Sequence, residues 1–122
     1  MESPYKGKTG LRRLINAFGY SMAGLKAAYT NEDAFRQEVL MTIVLVPLAL
    51  YLGDSGVAKA AMIASVLLVV IVELLNSSIE ATVDRISLEN HMLAKRAKDI
   101  GSAAVLISLI NLAVVWLLIL LG

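Results

Sequence analysis

Apolar and polar positions alternate along this chain in blocks rather than singly. Leu11, Leu14, Ile15, Phe18, Met22, Leu25 and Tyr29 recur at helical spacing, with Arg12, Arg13, Asn16 and Lys26 off that stripe. The spacing predicts a basic amphipathic helix over 10–29, of the kind that lies in a membrane interface. Thr30-Asn31-Glu32-Asp33 reads as a helix start, with Thr30 and Asp33 approximating a capping box and Asn31 an alternative cap. The helix it opens runs over 31–52. Only Val39–Leu52 is strongly apolar, and Pro47 lies within, which membrane helices tolerate better than soluble ones. Gly53-Asp54-Ser55-Gly56 is a tight turn, and a second long helix follows over 57–86. Residues 87–98 (SLENHMLAKRAK) read as a polar connection. A last helix covers 99–121, whose apolar part, 101–121, matches the ~20 residues that a bilayer requires.

Charge orients these helices. Lys6, Lys8, Arg12, Arg13, Lys26 and Arg36 precede or open the first span, and Arg85, Lys95, Arg96 and Lys98 lie between the second and third. Lys59 alone stands by the other loop. The positive-inside rule then puts the N-terminus in the cytoplasm and the C-terminus outside. The first 30 residues lack an uninterrupted apolar core and a small-residue cleavage site, so no secretory signal is expected.

Composition agrees. Of 122 residues, 58% are hydrophobic and 17% charged, with a mean hydropathy of +0.75; soluble domains average about 45–50% and 25%. The length allows one domain, 1–122. It is too short to hide so much apolar surface from water, which makes a bilayer the natural solvent. The absence of cysteine excludes disulfides, thiolate metal sites and cysteine nucleophiles. Nothing in the sequence points to a nucleic-acid partner.

The second long helix carries the candidate chemistry. At 100° per residue, Glu73, Asn76, Ser77, Glu80 and Asp84 fall within an arc of about 100°, while Leu74, Leu75, Ile79 and Val83 lie outside it. Glu73 is about 24 Å along the axis from Val57, at the inner edge of a hydrocarbon core about 30 Å thick. A carboxylate there costs ~2.5–3.5 kcal/mol on insertion scales, which marks it as functional by default. Glu32, Arg36 and Glu38 cluster at the cytoplasmic end of the preceding helix, and Lys98, Asp99 and Ser102 open the last one. Several carboxylates and a few cations at one membrane level suit Mg²⁺ and phosphate. Phosphoryl transfer needs mainly positioning and charge neutralisation.

Blander readings stand beside this one. Asp84, Arg85 and Glu89 could simply face water or pair to fix helix packing. Gly7-Lys8-Thr9 looks like the end of a phosphate loop, but the earlier glycine it requires is Glu2 and no strand precedes it. His91 has no metal-ligand spacing around it. Ser108 and Asn111 read as bonds between helices.

Residues 73–86, ELLNSSIEATVDRI, resemble the signature of the small prokaryotic diacylglycerol kinases, close to E-x-x-N-[ST]-[AS]-I-E-x-x-V-D. GYSMAGLKAAYTNEDAFRQE (19–38) resembles that family's surface helix and first-span start, and RAKDIGSAAVLIS (96–108) the start of its third span. Ser78 stands where alanine is common and Thr82 where valine is common, both outside the polar arc.

The resemblance implies an all-α membrane protein, with an amphipathic surface helix and three transmembrane helices assembled as a homotrimer. The implied reaction is ATP-dependent phosphorylation of diacylglycerol to phosphatidic acid, with Mg²⁺, at the cytoplasmic side of the bacterial inner membrane. By motif, Glu73 is implied as general base and Asn76 as the residue orienting the site. Glu32 and Glu80 are implied as metal ligands. Arg13, Tyr20, Glu32, Glu80, Glu89, His91, Lys98 and Asp99 are implied at the nucleotide, and Arg36, Gln37, Glu38, Glu73 and Ser102 at the lipid. Sites in this family are shared between neighbouring chains. Undecaprenol kinases share the central signature, although RISLENHMLAKRAKDIGSAAVL (85–106) resembles the diacylglycerol branch more. A small transporter subunit or a scaffold remains the alternative from another class.

Overall fold

A computed structural model describes residues 9–86 and 91–122. Four helices are present among them: α1 (Gly10–Asn31), α2 (Asp33–Leu52), α3 (Gly56–Ile86) and α4 (Met92–Leu121). The chain divides into two units, one ending at Glu32 and one from Asp33 to Gly122.

In the first unit, Thr9 is extended and Gly10 takes a left-handed φ of +64°, which glycine adopts without steric cost. The helix continues two residues beyond the expected 29. The backbone places the break between the two helices at Glu32 rather than at Thr30 or Asn31. Both residues are helical, Asn31 donates its side-chain amide back to the Ala27 carbonyl at 2.8 Å, and only Glu32 is extended between helices. Asn31 thus bonds back into the last turn of α1.

In the second unit, α2, α3 and α4 are each long and apolar enough to cross a membrane. The 20 residues of α2 span about 30 Å, the depth of a hydrocarbon core. α3 and α4, with 31 and 30 residues, reach about 45 Å and must project beyond it. Gly53 ends α2, donating its N–H to the Ala49 carbonyl at 2.9 Å, and Ser55 Oγ accepts from Ala58 N at 3.1 Å to start α3.

The fourth helix corrects the sequence reading. It begins at Met92 rather than 99, so most of the supposed polar connection is helical. Leu93, Ala94, Lys95, Arg96, Ala97 and Lys98 are good helix formers, and His91 Nδ1 caps the start by accepting from Leu93 N at 3.1 Å. Ser87 to Asn90 lie outside the described residues.

α3 is central, packing on both α2 and α4. Its buried positions are Ala58, Met62, Ser65, Val66, Val69, Glu73 and Asn76, one face at helical spacing. Ala49 of α2 and Trp116 of α4 meet Met62 and Val66 in a single apolar cluster, with Met41, Leu45, Leu112 and Ile119 around it. Trp116 Nε1 donates to the Met62 carbonyl at 3.2 Å, and Ser65 Oγ donates to the same oxygen at 2.7 Å. Ser108, expected to bond another helix, instead donates to its own Val105 carbonyl at 2.7 Å.

In lipid, tails are as apolar as leucine, so helices are held by close contact and such hydrogen bonds rather than by escape from water. Trp116→Phe should therefore destabilise the α3–α4 pair by about 0.5–2 kcal/mol, through a lost interhelical bond and a small void. Thermal unfolding in detergent measures it.

Candidate functional site

The buried face of α3 changes character along its length. From Ala58 to Val69 it is apolar except for Ser65; beyond that it continues as Glu73 and Asn76, only 5% and 8% exposed, and then as half-buried Ser77 and Glu80 and exposed Asp84. The polar stripe is thus the same stripe that packs the core lower down. Its buried part, Glu73 and Asn76, faces the neighbouring helices.

Both neighbours contribute. α2 brings Glu38, 8% exposed, within electrostatic reach of Glu73. One Glu38 oxygen, Oε2, is buried without a hydrogen-bond partner. Two carboxylates from different helices thus share a dry interior, an expensive arrangement that packing alone has no use for. Asn76 Nδ2 donates to Glu80 Oε1 at 3.2 Å, tying successive turns of the stripe, while Asn76 Oδ1 is buried and unpartnered. From α4, Lys98 Nζ pairs with Asp84 Oδ1 at 2.6 Å and lies near enough to Glu80 to feel its charge. The site thus grades from a buried carboxylate pair to an exposed mixture of cation and anions over about three turns of α3.

The residues at its edges pair locally. Arg36 pairs with Asp33 on the first turn of α2, and Lys95 Nζ with Asp99 Oδ2 at 2.7 Å on α4. Gln37, Asp99 and Ser102 are exposed, and Arg36 is half-buried. Arg13, Tyr20 and Glu32 belong to the first unit. Glu89 lies outside the described residues.

This arrangement sits in a chain with close relatives. Residues 19–120 match the family model described as prokaryotic diacylglycerol kinase. The diacylglycerol kinase of Pseudomonas aeruginosa is 58% identical over 120 residues, covering 98% of each chain. Those of Haemophilus influenzae and Escherichia coli K12 are each 51% identical, covering 88% and 92% of this chain and 92% of theirs.

The chain belongs to the prokaryotic diacylglycerol kinase family.

For a prokaryotic diacylglycerol kinase, the residues brought together by the second unit are Glu38, Glu73, Asn76, Glu80, Asp84 and Lys98. Sequence reasoning placed Glu38 with the lipid contacts but had no means of seeing it beside Glu73. It missed Gly101, which is buried against Asn76. The signal was a glycine inside α4, at the start of its long apolar stretch, where a glycine in a helical pattern costs stability and points to a packing reason.

The donor set can be tested against magnesium. Among the described residues no three His, Cys, Asp or Glu side chains form a closed metal cage. Magnesium takes one or two carboxylates and fills its remaining positions with phosphate and water. Glu80 is half-buried and its Oε1 is engaged by Asn76. An open oxygen set at the wet end of the stripe fits that ion, and it fits no metal that requires nitrogen or sulfur.

Proposed function

We propose that this chain transfers the γ-phosphoryl group of ATP to the hydroxyl of diacylglycerol, giving phosphatidic acid and ADP. One observation carries the reading: a buried carboxylate and carboxamide, Glu73 and Asn76, line the core face of a membrane helix in a chain 58% identical over 120 residues to a diacylglycerol kinase.

The two substrates come from different solvents, and the stripe spans the gap between them. Glu73, at the dry end, takes the proton of the lipid hydroxyl as that oxygen attacks the γ-phosphorus. The bond from the γ-phosphorus to its bridging oxygen breaks and ADP departs. A base must lie within hydrogen-bond reach of the proton it removes, which suits a residue at the depth of a diacylglycerol headgroup. Glu38 sits beside it on the lipid side with Arg36, Gln37 and Ser102. Asn76 fixes the orientation of Glu80.

Glu80 and Glu32 would hold the Mg²⁺ that accompanies ATP, which neutralises charge on the phosphates when bound. Lys98 and Asp99 meet the nucleotide, together with Arg13, Tyr20, Glu89 and His91. In this reading 1–122 is a single kinase domain in the bacterial inner membrane, with its N-terminus cytoplasmic and its C-terminus outside. The basic α1 lies in the interface as an amphipathic surface helix. Three copies assemble, and Glu32 and Glu73 of one site can come from different chains. The exposed apolar rows of the spans, including Leu40, Ile43, Ile71 and Leu75, leave ample surface for helix–helix contact.

The test is transfer from labelled ATP in mixed micelles with diacylglycerol and undecaprenol in competition. Label should enter phosphatidic acid, depend on the lipid, and stop when EDTA removes Mg²⁺. Preferential labelling of undecaprenol would reassign the substrate. No transfer alongside ion flux in liposomes would make the chain a transporter subunit.

A further inference from the structure

Gly101 lies in α4 where that helix crosses the polar stripe of α3. It is buried. A Cβ built on it would collide with Asn76 Oδ1 and stand 3.2 Å from Asn76 Cγ, with no other neighbour inside 4 Å. The space left by the missing side chain is thus occupied by one group alone, the Asn76 carboxamide. That carboxamide is itself held from the other side, where Nδ2 donates to Glu80 Oε1 at 3.2 Å. Its Oδ1 is buried and has no hydrogen-bond partner. An orphaned acceptor needs a reason, and here the oxygen is held against the Gly101 backbone with no N–H or O–H donor in reach.

We propose that Gly101 is a positioning residue for the kinase reaction: the bare backbone of α4 seats the Asn76 carboxamide so that its amide faces Glu80. The inference rests on the roles proposed for Asn76 and Glu80. Asparagine has two side-chain torsions and Asn76 is almost wholly enclosed. A methyl group at 101 therefore cannot be accommodated by a slight shift. It must turn the carboxamide away, and with it the hydrogen bond that orients Glu80.

The experiment is a double-mutant cycle on the full chain in detergent and lipid. It combines Gly101→Ala and Asn76→Ala, with kcat, the KM for each substrate, the half-saturating Mg²⁺ concentration and the thermal midpoint measured for all four proteins. Gly101→Ala should lower kcat on the order of 100-fold, the scale of a misplaced catalytic group. It should raise the Mg²⁺ requirement and leave the lipid KM in place. In the Asn76→Ala background the alanine at 101 meets empty space. There it should change neither kcat by more than about twofold nor the thermal midpoint, the range within which independent effects add.

Parental kcat and Mg²⁺ dependence in Gly101→Ala, with Asn76→Ala impaired, would overturn the proposal and leave the proposed function standing. So would an equal loss of thermal midpoint from Gly101→Ala in both backgrounds, because that marks a glycine serving only helix contact. Parental activity in Asn76→Ala would instead remove the role of Asn76 and this inference with it.

Discussion

Glu73→Gln should abolish most turnover while the protein stays folded. A general base contributes about 10²–10⁴-fold, and glutamine keeps the shape of glutamate but, with one oxygen replaced by an NH2 donor, cannot take the proton. The expected effect on stability runs the other way. Glu73 is buried in a membrane helix within electrostatic reach of Glu38. A carboxylate at such depth costs about 2.5–3.5 kcal/mol on insertion scales, and a neutral amide relieves both that cost and the like-charge contact. The thermal midpoint should hold or rise as kcat falls, the pattern of a group retained for chemistry at the expense of stability. Ordinary turnover in the glutamine variant would remove Glu73 from the base role. A lowered midpoint would make the carboxylate a structural member of the core.

Lys98→Glu should raise the KM for ATP on the order of 10- to 100-fold, the worth of a lost hydrogen bond to a charged group. Lys98 pairs with Asp84 at 2.6 Å between the projecting ends of α3 and α4, with the Lys98 side chain half-buried and that of Asp84 exposed. Exposed ion pairs of this kind contribute little to stability. Unfolding would therefore be a poor explanation for a large loss of nucleotide affinity. Reversal also places a third carboxylate near Asp84 and Glu80, repelling a triphosphate from the site it approaches. Combining Lys98→Glu with Asp84→Lys separates the two roles, since the swap restores the pair but not a cation at 98. Activity that stays low in the swapped protein supports nucleotide contact. Full recovery would assign Lys98 to holding the helix ends together.

Local physics explains why so much was legible without coordinates. Apolar runs near 20 residues have one stable form in lipid, because an unsatisfied backbone there is too costly for anything but a helix or a closed barrel. The helical period then forces Glu73, Asn76, Ser77, Glu80 and Asp84 onto one side of α3 whatever surrounds it. Caps and helix ends were less legible. Asn31 could cap α2 or bond back into α1, and these options differ by too little for sequence to choose between them. The same holds at residues 92–98, where charged residues suit a water-exposed loop and a projecting helix equally well.

The chain by itself thus determined that it is helical, that three helices are long and apolar enough to cross a bilayer, and that one bears an acidic stripe. It could not determine what that stripe faces. Only the packing of α2 and α4 on α3 buried Glu73 and Asn76 while leaving Asp84 in water, brought Glu38 from α2 beside Glu73, and set Gly101 of α4 against the Asn76 carboxamide. Periodicity is a property of one helix. Register and depth of contact between helices come from how side chains far apart in sequence fill each other's gaps, and no single helix carries that information.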